Sequence, residues 1–285
     1  MKTGLVVEGG GMKCAYSAGI LDKFLDDDIT FSYCIGVSAG AANTLSYLAG
    51  QRGRNLRFYT EHLRDPRYLS VRSLVHTGNL FGLQYIYGTL TNSDGADPLN
   101  YSAVMENPAE FYMPATDAAT GRAAYFSKYD IVRDDYRAVM ASCALPGFCR
   151  PVKVGDRYYY DGGVADSIPI IRSLKTGHRK NVIILTRNFG YRKKEGTRGW
   201  ELYVAAFRKY PNLVRALVNR AKHYNQVLEC IEKWEEEGSV FVIRPEIPAV
   251  SRLEKDEEKL REFYQHGYDQ MKANFEALQE FLKEE

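Results

Sequence analysis

At 285 residues, with 45% hydrophobic and 26% charged residues, the chain has the length and composition of one substantial globular domain. A net charge of +2 and the lack of a cationic run argue against a nucleic-acid partner. No apolar stretch reaches the roughly 18 residues that a membrane span needs, the N-terminal apolar run is too short for a signal peptide, and the scattered cysteines lack metal-ligand spacing. We therefore expect a cytoplasmic protein with reduced cysteines, for which peripheral contact with a membrane is the alternative location.

The first elements of the chain are a strand, a glycine loop, a helix and a second strand. Residues 4–8 have the pattern of a buried strand and lead into the three glycines of residues 9–11. Apolar residues then recur at helical spacing up to Asp26, and residues 31–35 predict the returning parallel strand. Because right-handed parallel crossovers open at the carboxyl ends of their strands, the glycine loop and the residues after the second strand should share one crevice.

Ser38 lies where the second strand passes into a helix, in the pentapeptide Gly36-Val37-Ser38-Ala39-Gly40. A G-x-S-x-G sequence at such a junction is typical of a nucleophile elbow, whose tight turn holds the serine hydroxyl above the edge of the sheet. The helix that begins here directs its N-terminal dipole at the site and favours developing negative charge. A chance match in a glycine-rich turn is the alternative, so the interpretation depends on the rest of the chain.

The glycine loop has the composition of an anion-binding loop. It lacks the spacing of a P-loop, and Cys14 interrupts the dinucleotide-binding pattern. Backbone amides turned into a crevice beside an exposed serine suit an oxyanion instead, and we expect Gly9, Gly10, Gly11 and Met12 to supply them. The alternative is a loop whose glycines serve only close packing at the start of the helix.

The middle of the chain alternates between irregular and β-rich stretches. Residues 51–100 are irregular, and their aromatic part, residues 74–90, is expected to be a lid or acyl-chain wall, or else a satellite core beneath a long loop. Residues 111–115 and 123–127 predict a hairpin, and a helix is expected over residues 134–143.

A second hairpin, residues 152–154 and 158–160, ends in Asp161-Gly162-Gly163. An aspartate followed by two glycines is often only a turn. Here it falls at the end of a strand, where the glycines permit close approach and the carboxylate is able to accept the proton of a serine hydroxyl. Asp161 is therefore our candidate general base.

The C-terminal third is predicted to be mostly helical. Buried strands are expected at residues 181–186 and 240–243, with helical segments over residues 200–234 that break near Pro211. Residues 254–282 predict one long amphipathic helix, whose apolar stripe is expected to dock on the domain rather than to lie on a membrane.

No histidine is well placed to complete a triad with Ser38 and Asp161. Three of the five follow Asp161, as the order of an α/β-hydrolase triad requires, but one lies in a basic turn predicted to be solvated and two lie within helices. The other two precede Asp161 in the irregular region. Each is expected to be a surface or packing residue: His62, His76, His178, His223 and His266.

Taken together, these motifs resemble those of the patatin-like phospholipase family, including its bacterial members. The resemblance extends from Gly4 to about Ser167. It implies a three-layer α/β/α sandwich with a mainly parallel central sheet and a helical C-terminal extension, and a Ser38–Asp161 dyad that works without histidine, metal or cofactor. The motifs, in order, are Glu8-Gly9-Gly10-Gly11-Met12-Lys13, the pentapeptide around Ser38, residues 115–117 with 120–121, residues 141–148 with Pro151, and Asp161-Gly162-Gly163.

The expected domain organisation follows from the extent of this likeness. Residues 1–190 are predicted to form the catalytic core, and residues 191–285 a mostly helical region that completes the same domain. Three positions depart from the family pattern: Glu8 replaces a common aspartate, Lys13 a common arginine and Cys14 a common glycine. Lys13 keeps a cation behind the glycine loop, although as a point charge and not as a guanidinium fork.

The sequence therefore predicts a serine acyl-ester hydrolase of phospholipase A or lysophospholipase type, with a lipid or lysolipid ester as its substrate. Two alternatives are a Ser–His–Asp esterase or thioesterase, and a catalytically inert lipid-binding scaffold. A scaffold would need neither Ser38 nor Asp161 nor the glycine loop, and their presence favours the enzyme.

Overall fold

The computed structural model describes residues 3–195 and 200–283, and its centre is one mixed β-sheet. The strands, numbered along the chain, are β1 (Thr3–Val7), β2 (Tyr33–Gly36), β3 (Glu110–Asp117), β4 (Ala123–Ser127), β5 (Val152–Val154), β6 (Arg157–Asp161), β7 (Lys180–Ile184) and β8 (Val240–Ile243). Their order across the sheet is β5-β6-β3-β2-β1-β7-β8, and β4 pairs with β3.

The central strands are parallel, as the sequence predicts. β1 lies between β2 and β7, and β3 and β8 extend the parallel sheet on either side. Val7, the last residue of β1, pairs with Gly36 of β2 and Ile184 of β7, so these three strands end at one level. The loops that follow them leave the sheet together at its carboxyl edge, where ligands bind in open α/β sheets.

The antiparallel strands bring Asp161 to the same edge. The first residues of β3 pair with β2, and its last three pair with β6, beginning with Ala115 opposite Asp161. Because β4 pairs with β3 over residues 112–116, and a strand has only two edges, β6 occupies the same edge of β3 as β2 does. Asp161, at the end of β6, is thereby placed at the end of β2, just before Ser38.

Helices cover both faces of the sheet. They are α1 (Ala15–Asp26), α2 (Ala39–Leu48), α3 (Arg54–Tyr59), α4 (Val71–Thr77), α5 (Leu83–Tyr85), α6 (Tyr101–Glu106), α7 (Arg137–Cys143), α8 (Ile170–Lys175), α9 (Trp200–Ala206), α10 (Pro211–Glu236), α11 (Glu257–Ala273) and α12 (Phe275–Lys283). Within the described residues, no helix combines the length and the apolar character that crossing a bilayer would require.

The alternation of side chains along β1 shows how the layers form. Leu5 and Val7 join a core that includes residues of α1, α2 and α11, whereas Val6 joins a separate core with residues of α8 and α10. Successive side chains of a strand point to opposite faces of its sheet. The chain therefore folds as an α/β/α sandwich, which confirms the predicted fold class.

Helices α1 and α11 lie too close together for side chains at their crossing. A Cβ on Gly19 would lie 2.0 Å from the carbonyl oxygen of Tyr264, and a Cβ on Gly267 would lie 2.2 Å from that of Tyr16. The predicted docking of the C-terminal stripe is thereby confirmed. Its buried residues are Leu260, Phe263, Tyr264, Met271 and Leu278.

The prediction of one helix over residues 254–282 is wrong, because the structure has two helices that meet at Asn274. The side-chain amide of Asn274 donates to the carbonyl of Gln270 at 2.8 Å. Asparagine is common at helix ends, where it tolerates non-helical backbone and its side chain competes for backbone partners. The break redirects the chain so that Leu278 and Phe281 of α12 are buried.

The segment predicted to be irregular, residues 51–100, contains the short helices α3 to α5. Arg54 is buried within this segment, and its guanidinium lies 3.5 Å from the carboxylate of Asp97 near the end of the segment. Leu83 and Ile86, within the aromatic part, are buried as well. The segment is thus a compact part of the domain whose helices are too short to show a clear periodicity in the sequence.

Candidate active site

Ser38 has a strained backbone conformation between β2 and α2. Its φ of 55° and ψ of −130° lie where residues other than glycine are rare. Ser142 holds the turn: the Ser38 amide donates to Ser142 Oγ at 3.0 Å, and the Ser142 hydroxyl donates to the carbonyl of Pro114 at 2.7 Å. Ser38 lines a cavity at the carboxyl edge of the sheet, as the serine of a nucleophile elbow does.

Close approach of the backbone requires the glycines on either side of Ser38. A Cβ on Gly40 would lie 2.6 Å from the carbonyl oxygen of Glu8, and a Cβ on Gly36 would lie 2.7 Å from that of Gly40. Backbone atoms at such distances leave no room for a side chain. The pentapeptide is therefore a tight turn whose glycines are needed for packing.

Asp161 is buried beside Ser38, with 4% of its surface exposed. Its Oδ1 accepts a hydrogen bond from the Gly163 amide at 2.7 Å, and its carboxylate interacts with the Ser38 hydroxyl. Burial raises the pKa of Asp161 above that of an ordinary aspartate, while the Ser38 hydroxyl, the Gly163 amide and the charges of Arg220 and Arg252 act in the opposite direction. Asp161 is thus a stronger base than an exposed aspartate.

The glycine loop lines the same cavity, as its position after β1 predicts. A Cβ on Gly9 would lie 3.0 Å from the Cβ of Ser38, so the loop and the serine are in contact. Within the described part of the chain, the amides of residues 9–11 donate to no protein acceptor. The amide of Met12 differs, because it donates to the carbonyl of Arg252 at 3.1 Å.

Glu8 and Lys13, at the two ends of the glycine loop, anchor it to distant parts of the chain. The Glu8 carboxylate accepts hydrogen bonds from the Thr186 amide at 2.7 Å and the Tyr224 hydroxyl at 2.8 Å. The Lys13 ammonium group donates to the carbonyl of Val250. The path of the loop therefore depends on Thr186 just beyond β7, on α10 and on the segment before α11.

Cys143 is a second side chain of nucleophilic type beside Ser38. Its thiol interacts with the Ser38 hydroxyl, and its sulfur lies 3.5 Å from the hydroxyl oxygen of Tyr87. Burial raises the pKa of the Cys143 thiol well above its ordinary value, so the reactive thiolate is disfavoured at neutral pH. Ser38 is the better candidate for a nucleophile.

The cavity has two walls of different chemistry. We name as the apolar wall the side chains contributed mainly by residues 54–90, and as the cationic wall the positive side chains that come mainly from beyond residue 186. The apolar wall includes Phe58, Tyr59, Tyr68, Phe81, Ile86 and Tyr87, and the cationic wall comprises Lys13, Arg187, Lys193, Arg220 and Arg252.

No histidine within the described residues lines the cavity. The prediction of a solvated turn around His178 is wrong: its ring is buried and stacks on Tyr33, with 4.4 Å between the ring centroids. His178 precedes β7 and so lies at the amino edge of the sheet, opposite Ser38. Within residues 3–195 and 200–283, no three histidine, cysteine, aspartate or glutamate side chains converge as a metal site would require.

Several side chains reach the site from distant parts of the chain and were not predicted from the sequence. Ser142 lies in residues 141–148, one of the motifs that resemble those of the patatin-like phospholipase family. Its place in that motif indicated that Ser142 could contact the turn around Ser38. No sequence motif indicated the residues of the cationic wall, because most of them lie on loops and helices outside the motifs. They come together only when β7, α10 and the segment before α11 pack on the carboxyl edge of the sheet.

Comparison with known proteins supplies the family context. The sequence model of the patatin-like phospholipase family matches residues 5–172, and that of a domain of unknown function, DUF6363, matches residues 210–283. An uncharacterized Escherichia coli K12 protein, YjjU, is 26% identical over 272 residues, which cover 92% of this chain and 74% of YjjU. The crystal structure of VipD from Legionella pneumophila is similar with a TM-score of 0.49 and 14% identity, over 97% of this chain and 67% of VipD.

Proposed function

The chain belongs to the patatin-like phospholipase family, a family of lipid hydrolases, and from this premise we propose that it hydrolyses acyl esters of lipids with Ser38 as nucleophile and Asp161 as base. The observation that carries the proposal is the contact between a strained serine and a buried carboxylate in a cavity that no described histidine lines. A serine needs a proton acceptor in order to attack, and Asp161 is the one beside it.

The proposed reaction has two steps. In the first, Asp161 accepts the hydroxyl proton of Ser38, Oγ bonds to the ester carbonyl carbon, and the carbonyl electrons move to its oxygen. The tetrahedral intermediate then breaks the ester bond, and the leaving alkoxide takes the proton from Asp161. In the second step a water molecule gives a proton to Asp161 and attacks the carbonyl carbon of the acyl-enzyme. The bond from that carbon to Oγ then breaks, the fatty acid is released, and Oγ takes the proton from Asp161, which restores both residues.

The amides of Gly9, Gly10 and Gly11 are the proposed donors to the oxyanion. They line the cavity beside Ser38 and donate to no acceptor of the described chain, so they are free to bind developing charge. The amide of Met12 already donates to the carbonyl of Arg252, so it could bind the oxyanion only after that hydrogen bond is broken. We therefore assign the oxyanion hole to the three glycines, with Met12 as a donor only if the segment that holds Arg252 moves.

The apolar wall is the proposed site of the acyl chain. Its aromatic and aliphatic side chains come from residues 54–90, and they line the same cavity as Ser38. Apolar surfaces of this kind favour a hydrocarbon chain, because its burial is worth about 0.8 kcal/mol for each methylene group. Residues 74–90 thus act as a wall for the acyl chain, and the substrate is a phospholipid or a lysophospholipid.

Labelling with a fluorophosphonate probe, which reacts with activated serines, tests the proposal. Wild type should be labelled and should release fatty acid from lysolipid micelles. Ser38→Ala should lose both, and Asp161→Asn should lose at least about 10³-fold in turnover because no base remains. Ser102→Ala, which changes an exposed serine, is the matched control and should behave as wild type.

Three results would contradict the proposal. Hydrolysis by folded Ser38→Ala at the wild-type rate would exclude Ser38 as the nucleophile. Loss of turnover in His178→Ala, His223→Ala or His266→Ala with retained stability would favour a Ser–His–Asp esterase. Folded wild type that is neither labelled nor active, yet binds liposomes, would be an inert lipid-binding scaffold.

A further inference from the structure

Among the described residues that line the cavity, positively charged side chains outnumber acidic ones on the side of the cationic wall. The cavity contains two acidic side chains on this side, Glu8 and Asp161. The Glu8 carboxylate is occupied by Thr186 and Tyr224, and the Asp161 carboxylate by Gly163 and Ser38. Even without Arg220, the wall has four cationic side chains, and the two carboxylates that line the cavity with them also accept hydrogen bonds from neutral groups.

The cations are held in place mainly by neutral partners. The guanidinium of Arg187 lies 4.3 Å from the ring centroid of Tyr191, and the ammonium of Lys193 lies 3.5 Å from that of Tyr224. The ammonium group of Lys13 donates to the carbonyl of Val250. Aromatic faces and carbonyls orient a cation without cancelling its charge.

Mutual repulsion shows how closely the charges are gathered. Burial and the nearby charges of Arg187 and Arg252 lower the pKa of Lys13 to about 8. Burial and the charges of Arg220, Arg252 and Arg187 also lower the pKa of Lys193, whereas Glu8 acts in the opposite direction. Buried cations of this density are costly unless an anion joins them.

The cationic wall also lies next to the proposed chemistry. Arg220 contacts the residue that holds the Asp161 carboxylate, and the carbonyl of Arg252 receives the amide of Met12, which follows the proposed oxyanion donors. Because Ser38 and the cations line one cavity, a ligand whose ester carbonyl lies at Ser38 can present another of its groups to the cations. In a glycerolipid that group is the head group.

We propose that the cationic wall binds the phosphate of an anionic head group while the acyl chain lies against the apolar wall, and that the region matched by the domain of unknown function contributes Arg220 and Arg252 to this site. The inference rests on the proposed hydrolase function and defines its substrate. A phosphate monoester carries about two negative charges at neutral pH and matches the unbalanced cations. A phosphocholine group adds a cation that the wall repels, and a neutral acylglycerol brings no charge to it.

Three lysolipids with the same oleoyl chain test the inference: 1-oleoyl-glycerol 3-phosphate, 1-oleoyl-glycerophosphocholine and 1-oleoylglycerol, each in neutral detergent micelles. The phosphate monoester should show kcat/KM about tenfold or more above the neutral lipid, with phosphocholine below the monoester. In Arg187→Gln and Arg252→Gln, the ratio of kcat/KM for the monoester to that for the neutral lipid should fall by about tenfold. Arg215→Gln, an exposed position on α10 outside the cavity, is the matched control and should keep the wild-type ratio.

A titration without turnover separates the two proposals. Folded Ser38→Ala protein should bind glycerol 3-phosphate in calorimetry, and the additional change Arg252→Gln should abolish that binding. If wild type hydrolyses no ester but this binding is seen, the hydrolase proposal fails and the phosphate site stands.

Equal kcat/KM for the three lipids overturns the head-group assignment, and binding of inorganic phosphate together with such equality would identify a site for free phosphate. Unchanged ratios in both arginine variants overturn the assignment to these residues.

Discussion

The surroundings of a carboxylate decide its chemistry in this protein. Asp65 is only partly buried and is hydrogen-bonded to the guanidinium of Arg67, which lowers the pKa of Asp65 to about 2. Asp161 is buried beside Ser38, and burial raises its pKa instead. Both are aspartates, so only burial and contacts distinguish a weak base from the base that the proposed reaction needs.

The rate of hydrolysis should therefore fall on the acid side at a higher pH than an ordinary aspartate would cause. The charged form of Asp161 is the base, so activity is lost as the pH falls through its raised pKa. Because the charge of Arg220 lowers that pKa, Arg220→Gln should move the loss of activity to still higher pH. The measurement is kcat/KM against pH with a neutral p-nitrophenyl ester. Arg215→Gln is the control, and an Arg220→Gln profile that coincides with wild type would contradict the assignment of the base.

At the scale of elements, one helix crossing joins the two ends of the described chain. Helix α11 lies on α1, and α1 follows the glycine loop directly. The residues at the crossing are glycines because the backbones touch, as the positions of Gly19 and Gly267 show. The C-terminal helix therefore helps to support the element that carries the proposed oxyanion donors.

Gly267→Ala should destabilise the protein although alanine is the better helix former. The new Cβ would lie 2.2 Å from the carbonyl oxygen of Tyr16, so α11 must move away from α1. We expect a net loss of about 1–3 kcal/mol in the free energy of unfolding, after a gain of about 1 kcal/mol from helix propensity. Urea denaturation measures it, with Gln265→Ala at an exposed position of α11 as the control that should change stability by less than about 0.5 kcal/mol. Equal stability of Gly267→Ala and wild type would show that the crossing adapts without cost.

At the scale of the whole molecule, the cavity is a junction between separate parts of the chain. The sheet edge supplies Ser38 and Asp161, residues 54–90 supply the apolar wall, and residues from beyond 186 supply most of the cationic wall. In the proposed function, the sheet edge carries the reacting groups, the apolar wall binds the acyl chain and the cationic wall binds the head group, so the substrate contacts all three parts. Selectivity for the acyl chain and for the head group should therefore change independently of each other.

Ile86→Phe should shorten the preferred acyl chain. Ile86 is buried on the apolar wall, and a larger side chain there takes space from a long hydrocarbon. The ratio of kcat/KM for p-nitrophenyl dodecanoate to that for the butanoate should fall by about tenfold or more, since each displaced methylene costs about 1–3 kcal/mol of specificity. Ile171→Phe, at a partly exposed position outside the cavity, should leave the ratio unchanged. A similar fall in the control, or none in Ile86→Phe, would place the acyl chain elsewhere.

The sequence by itself determined the parallel sheet, the turn that carries Ser38 and the shared crevice with the glycine loop. These follow from short-range rules: strands that end in glycine turns, a helix that begins after a G-x-S-x-G pentapeptide, and crossovers of one hand. Asp161 was predictable for the same reason, because its place at the end of a hairpin strand is a local property.

Only the tertiary structure decided what surrounds that edge. The break at Asn274, the buried position of His178 and the use of the Met12 amide by Arg252 depend on which segments pack against one another. The cationic wall is the clearest case, because its residues lie on separate segments with no common spacing. Burial, desolvation and repulsion act between side chains that are close in space, and a linear pattern records only those that are close in sequence.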